Sequence, residues 1–213
     1  MRIDVPFYRQ TMDFTCGAAC ILMVLSYHDR QFRMDRDNEM DIWREGTSVI
    51  PLGIGRYGLS FPFLKRGYTV SIKSNVTGIE FLERIRKRLD ERQMAIFREL
   101  YEERRSRAFK MGLMEETVSE LSLQEVKDSL FGGNVPLMLT DAAALGDETA
   151  PHWIAITGVE NDTIHLNNPL AESPSSLPAG DFGRINGFMG EQILVSVGRK
   201  AEAVTSYSSQ RHP

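Results

Sequence analysis

The sequence predicts an α+β fold, with a helical front half packed on an antiparallel β-sheet. Three observations predict it. Apolar residues recur at helical spacing in 16–28, 59–66 and 79–111. After Gly132-Gly133 the texture changes to short apolar runs broken by turn residues. The two textures are segregated along the chain rather than alternating, which argues against βαβ units.

Residues 1–10 read as a short extended entry strand that ends in a polar loop, Thr11 to Thr15. From Cys16 to His28 the residues Ala19, Cys20, Met23, Val24 and Tyr27 keep helical spacing, so a largely buried helix begins with Cys16 in its first turn. Residues 29–58 are mixed: Asp41 to Thr47 suits a short helix, and the stretch holding Gly53, Gly55 and Gly58 suits a loop. Leu59 to Arg66 reads as a helix closed by Gly67, and Tyr68 to Ile72 alternates as a strand.

Segment 79–111 is the most helical of the chain. Ile79, Leu82, Ile85 and Leu89, then Ile96, Phe97, Leu100 and Tyr101, keep a helical period among dense Arg and Glu. Its arginines interleave with acids, so they read as a solvated helix face rather than a binding patch. The apolar stripe is expected to bury against the rest of the domain; capping a cleft and building a homo-oligomer are the other roles open to it. Ser122-Leu123-Gln124-Glu125 is a capping-box pattern that opens a helix ended by Gly132-Gly133. Strands are expected at Val135 to Thr140, Trp153 to Val159, Thr163 to Leu166 and Gln192 to Val197. The organisation is one domain over 1–198, with a charged helical insertion at about 78–112, then a polar, Ser-rich tail over 199–213 expected to fray.

Composition narrows the function. The 213 residues are 42% hydrophobic and 25% charged, enough for a core without disulfides or metal. A net charge of -4 gives no footprint for nucleic acid or an anionic membrane. No secretory leader or membrane-spanning run is visible, so a cytoplasmic protein is expected. Cys16 and Cys20, four apart on one helix, are poorly placed for a disulfide. With so few histidines they also make a poor zinc set. No cofactor and no metal are expected, and one reactive thiol becomes the question.

A thiol in the first turn of a buried helix faces unsatisfied backbone N–H groups and the positive end of the helix dipole, which favour thiolate. Gly17 allows close approach of backbone or substrate. The side-chain amide of Gln10, six residues upstream, can aim at the same point as the Cys16 N–H, and two such donors make an oxyanion hole. The segment alone leaves an ordinary buried thiol equally open. Cys20, one turn further in, reads as core.

The back half supplies a base. Pro151-His152-Trp153-Ile154-Ala155-Ile156-Thr157-Gly158 sets a histidine at the start of an apolar strand, with Trp153 placed to shield it. Thr163-Ile164-His165-Leu166-Asn167-Asn168-Pro169 reads as its hairpin partner, which brings Asn167 or Asn168 level with His152 to accept an Nδ1–H. Each piece alone has a plainer reading, a core histidine or an Asn-Pro turn. The order Gln, Cys, His, Asn makes the set less accidental. His165 lies inside the second strand. His28 ends the Cys16 helix, roughly 18 Å along it from the thiol, and His212 lies in the tail.

Val5 to Gln10 through Cys16-Gly17-Ala18-Ala19, with Pro151-His152-Trp153 to Gly158 and the Asn168-Pro169 step, resembles cysteine peptidase family 39. These are double-glycine leader peptidases of the papain-like clan that process bacteriocins. The stand-alone relatives are more similar still, with segments like Ile42-Trp43-Arg44-Glu45 and Gly53 to Gly58. The resemblance covers roughly 3–75 and 120–170. It implies a papain-like cysteine peptidase fold, with Gln10 as oxyanion donor, Cys16 as nucleophile, His152 as base and Asn168 as orienting residue. Two positions depart from the family: Ala18 stands where Pro is usual, and Asn168 where Asp is usual. An amide still accepts the imidazole N–H but does not stabilise imidazolium as a carboxylate would.

The expected activity is thiol-dependent hydrolysis of a peptide or amide bond through an acyl-thioester. An acyl transferase using the same thioester, and a catalytically silent peptide-binding module, are the other two readings.

Overall fold

The computed structural model describes residues 1–47, 53–77 and 90–201. Its centre is a seven-stranded sheet in the order β2-β1-β7-β3-β4-β5-β6. The strands are β1 Tyr68–Ser74, β2 Met114–Val118, β3 Val135–Asp141, β4 Pro151–Glu160, β5 Thr163–Asn167, β6 Ser175–Pro178 and β7 Ile193–Lys200. Neighbours are antiparallel except β1 and β2, which are parallel.

Among the described residues six α-helices flank the sheet: α1 Cys16–His28, α2 Arg36–Gly46, α3 Arg56–Lys65, α4 Glu91–Lys110, α5 Leu123–Phe131 and α6 Phe182–Ile185. Side chains of a strand alternate between faces. Leu137, Leu139, Trp153, Ala155, Val195 and Val197 therefore meet α1 and α3 in one core cluster. Met138, Ile154, Ile156 and Leu194 meet Val126, Leu130 and Ile185 of α5 and α6 in a second, on the opposite face. The arrangement is the expected α+β one.

Helix α1 spans the expected residues and is buried from Cys16 to Ser26, so it lies as an all-round apolar rod across the sheet against β4. Helix α2 starts earlier than the periodicity suggests because Asp35 caps it, accepting from Asn38 N at 3.0 Å. Helix α3 likewise begins inside the glycine stretch, at Arg56. Gly58 is what lets α2 and α3 touch backbone to backbone: a Cβ there would lie 2.1 Å from Gly46 O. The capping box of α5 forms between Ser122 and Glu125 as expected.

Helix α4 begins at Glu91, behind an Asp90–Gln93 capping box; Ile79, Leu82, Ile85 and Leu89 lie outside the described residues. Met94 and Ala108 are buried, while Ile96 is 45% exposed. The arginines are not merely a solvated face. Arg104 donates to the carbonyls of Glu45 and Thr47 and stacks over Phe61, and Arg105 binds Tyr57 and Glu116. These contacts, with Tyr101 edge-on to Tyr57, hold α4 to α3 and β2.

The entry segment is extended but makes only one strand-like bridge, Arg2 to Gly158. It is tied down by Ile3 N to Thr157 O and, further along, Gln10 N to Pro169 O. Strands β2 and β6 carry no apolar alternation, and as edge strands they need little more than backbone pairing. Strand β7 runs to Lys200, into the segment expected to be tail, and residues 202–213 lie outside the described ones. Among the described residues no helix is long and apolar enough to cross a membrane.

Gly58→Ala is expected to destabilise the protein by about 1–3 kcal/mol, since α2 and α3 must move apart to admit the methyl group. A lowered urea midpoint with an unchanged slope would show it.

Candidate active site

The pairing of β4 with its neighbours builds the site. Thr140 of β3 lies opposite His152, and Ala155 lies opposite Asn167 of β5, so the residue after β5 comes level with the start of β4. That residue is Asn168. His152 Nε2 and Asn168 Oδ1 are 2.8 Å apart, and both residues are buried. Leu170 N also donates to Oδ1, at 3.0 Å, which identifies that amide atom as the oxygen. An oxygen can only accept, so Nε2 carries the proton. The neutral imidazole then keeps its lone pair on Nδ1. The orienting bond therefore uses the ring nitrogen opposite to the expected one. Asn167 is excluded from this role: its amide donates to the carbonyls of Val5 and Pro6 and anchors the entry segment.

Trp153 packs onto α1, and His152, the residue before it, meets Asn168. A Cβ on Gly17 would lie 3.3 Å from the indole, so Gly17 sets how closely helix and ring pack. Trp153 fastens this seam three times. Its indole donates to Ile54 O at 2.8 Å, its carbonyl accepts the Cys20 thiol at 3.4 Å, and its backbone N–H faces the Cys16 sulfur.

Cys16 is free, buried and at the tip of α1, the helix that packs against β4. Burial is the largest influence on its thiol and pushes its pKa up, against the Trp153, Gly17 and Cys16 N–H groups that favour thiolate. Burial thus works against the expected preference for thiolate. Burial also pulls His152 down from its ordinary value, opposed by the Asn168 bond and by the charge of Asp147. Burial thus disfavours the charged forms of both the thiol and the imidazole. They form no hydrogen bond to one another; such bonds are often long in unliganded sites and tighten on binding.

Gln10 lies on the loop leading to α1, and its Nε2 donates to Met12 O at 2.8 Å. One N–H of that amide is thereby used, while Oε1 is buried without a partner among the described residues. His165 is apart from the site, 3.7 Å from Glu160, and His28 ends α1. Among the described residues no three His, Cys, Asp or Glu side chains are grouped to hold a metal ion. Sequence reasoning passed over two contributors, the Trp153 N–H and Asp147. A backbone donor leaves no trace in residue identity, and Asp147 sits in an ordinary polar turn.

Asn168→Ala is expected to lower the His152 pKa further, because the bond it removes favours the charged ring. Asn168→Asp is expected to raise it. An NMR titration of the His152 ring protons reads both signs.

The chain and its fold have counterparts. A sequence model of the Peptidase C39-like family matches residues 5–182, a span that includes Gln10, Cys16, His152 and Asn168. The fold is similar to the crystal structure of a proposed C39-like peptidase from Bacillus anthracis, with a TM-score of 0.53 and 15% identity over 94% of this chain and 100% of that one. Among curated proteins no match is found. With most of its length matched, this chain belongs to the Peptidase C39-like family.

Proposed function

We propose that the protein is a thiol-dependent hydrolase of a peptide or amide bond, with Cys16 as nucleophile and His152 as base. The observation that carries this reading is the buried His152–Asn168 bond, which leaves Nδ1 as the acceptor at the start of β4, the strand against which the Cys16 helix packs.

Because burial disfavours both charged forms, the proton moves as the bond forms. The Cys16 thiol gives its proton to His152 Nδ1 while sulfur attacks the substrate carbonyl carbon. The carbonyl oxygen becomes an oxyanion, held by backbone N–H at the start of α1 and by the remaining Gln10 N–H. The imidazolium then protonates the leaving nitrogen, the C–N bond breaks, and the acyl group stays on sulfur as a thioester. Water gives a proton to Nδ1 and attacks that thioester. The C–S bond breaks, His152 returns the proton to sulfur, and the acid leaves.

Asn168 acts through His152 by holding the ring and its tautomer. As a neutral partner it favours imidazolium less than a carboxylate would. The Peptidase C39-like family membership and the fold support a peptide or amide substrate.

Limiting iodoacetamide at neutral pH is expected to modify Cys16 well before Cys20, read by peptide mass mapping. Equal rates would remove the activated-thiol reading. Cys16→Ala is expected to abolish cleavage of a peptide library outright. Loss of at least about a hundredfold is expected for His152→Ala, since general-base catalysis contributes on that scale. Ligated rather than cleaved products in the same library, with an amine present, would mark a transferase.

A further inference from the structure

Glu39 lies on α2, is fully buried, and has no Lys or Arg within ion-pairing distance among the described residues. A lone buried carboxylate is costly unless its oxygens are filled with donors. They are filled, and every donor comes from the segment that leads to Cys16. Oε1 accepts from Thr11 N at 2.9 Å and from the Thr15 hydroxyl at 2.5 Å. Oε2 accepts from the Thr11 hydroxyl at 2.6 Å and from Tyr8 OH at 3.1 Å. These donors bracket Gln10 on both sides. The rest of α2 backs the same loop, with Trp43 against Phe14 and Arg36 against Met12.

Thr15 is the N-cap residue of α1 and of a type that normally caps. Its hydroxyl makes no capping bond to the helix. It is turned outward, to Glu39 and to Met12 O at 2.8 Å, the same carbonyl that holds the Gln10 amide. The first-turn N–H groups of α1 are therefore not taken by the cap, and they are the groups that face the Cys16 sulfur.

We infer that Glu39 is a positioning residue for the thiol site: it draws the Thr15 hydroxyl off the tip of α1, so that the first-turn amides stay free for the sulfur and for an oxyanion, and it fixes the loop that carries Gln10. This inference rests on the reading of Cys16 as nucleophile. Without the Glu39 acceptor, the Thr15 hydroxyl turns back and caps the helix. One amide is then withdrawn from the site, although the fold is kept.

Rescue tests it. The rate of Cys16 alkylation by iodoacetamide at pH 7 is measured by peptide mass mapping in the full chain, with Cys20 as internal reference and circular dichroism as the check on folding. Glu39→Gln is expected to slow Cys16 about tenfold, the scale of one hydrogen bond to a charged group. Adding Thr15→Val, which leaves no hydroxyl to cap with, is expected to restore most of the wild-type rate. A purely structural role would make the double variant slower still. No slowing in Glu39→Gln, or slowing that Thr15→Val does not relieve, overturns the inference and leaves the nucleophile reading standing. Equal reactivity of Cys16 and Cys20 in the wild-type protein overturns both. Should Glu39→Gln not fold, Glu39→Asp, whose shorter side chain cannot span Thr11 and Thr15 together, gives the same two outcomes.

Discussion

The seam between α1 and β4 is the constraint on which the molecule depends, and Trp153 closes it. One residue binds the loop before α3 through its indole and the second turn of α1 through its carbonyl, and its N–H favours the thiolate of Cys16 in the first turn. An indole buried among apolar side chains contributes a large area to the core, and its N–H must find an acceptor there. Ile54 O is that acceptor. Helix position is thereby coupled to strand position, and the sulfur of Cys16 is held at the level where β4 begins.

From that seam the chemistry follows by register. Trp153 of β4 packs in the α1 cluster, and the residue before it, His152, stands at the start of the strand. It meets Asn168 there because β5 returns antiparallel after a tight turn whose Asn161 and Asp162 adopt positive φ. The pair is buried, and burial sets its electrostatics. Burial disfavours the charged forms of both Cys16 and His152. A substrate carbonyl would bring the missing electrophile, and the amides at the tip of α1 supply the compensating donors.

The second support of the site comes from outside the sheet. Helix α2 meets the loop over 8–15 through a buried carboxylate as well as through Trp43 against Phe14. Four donors on two oxygens satisfy the group without a cation, and they make the loop geometry specific in a way that apolar packing would not. The backbone contact of Gly46 with Gly58 in turn sets α2 close against α3.

Much of this was legible in the residues. The helix from Cys16 to His28, the capping box at Ser122 and the four central strands follow from periodicity and local caps, which act within a few residues. The meeting of His152 with Asn168 was legible because a hairpin is also local, and two strands joined by a short turn have few registers. Edge strands β2 and β6 were not legible, since backbone pairing there asks little of side-chain identity. Which ring nitrogen Asn168 holds, which way burial pushes the thiol, and that Glu39 is buried under the loop were decided only by tertiary structure. Each depends on burial and on donors brought together from distant parts of the chain, and neither quantity is carried by residue order alone.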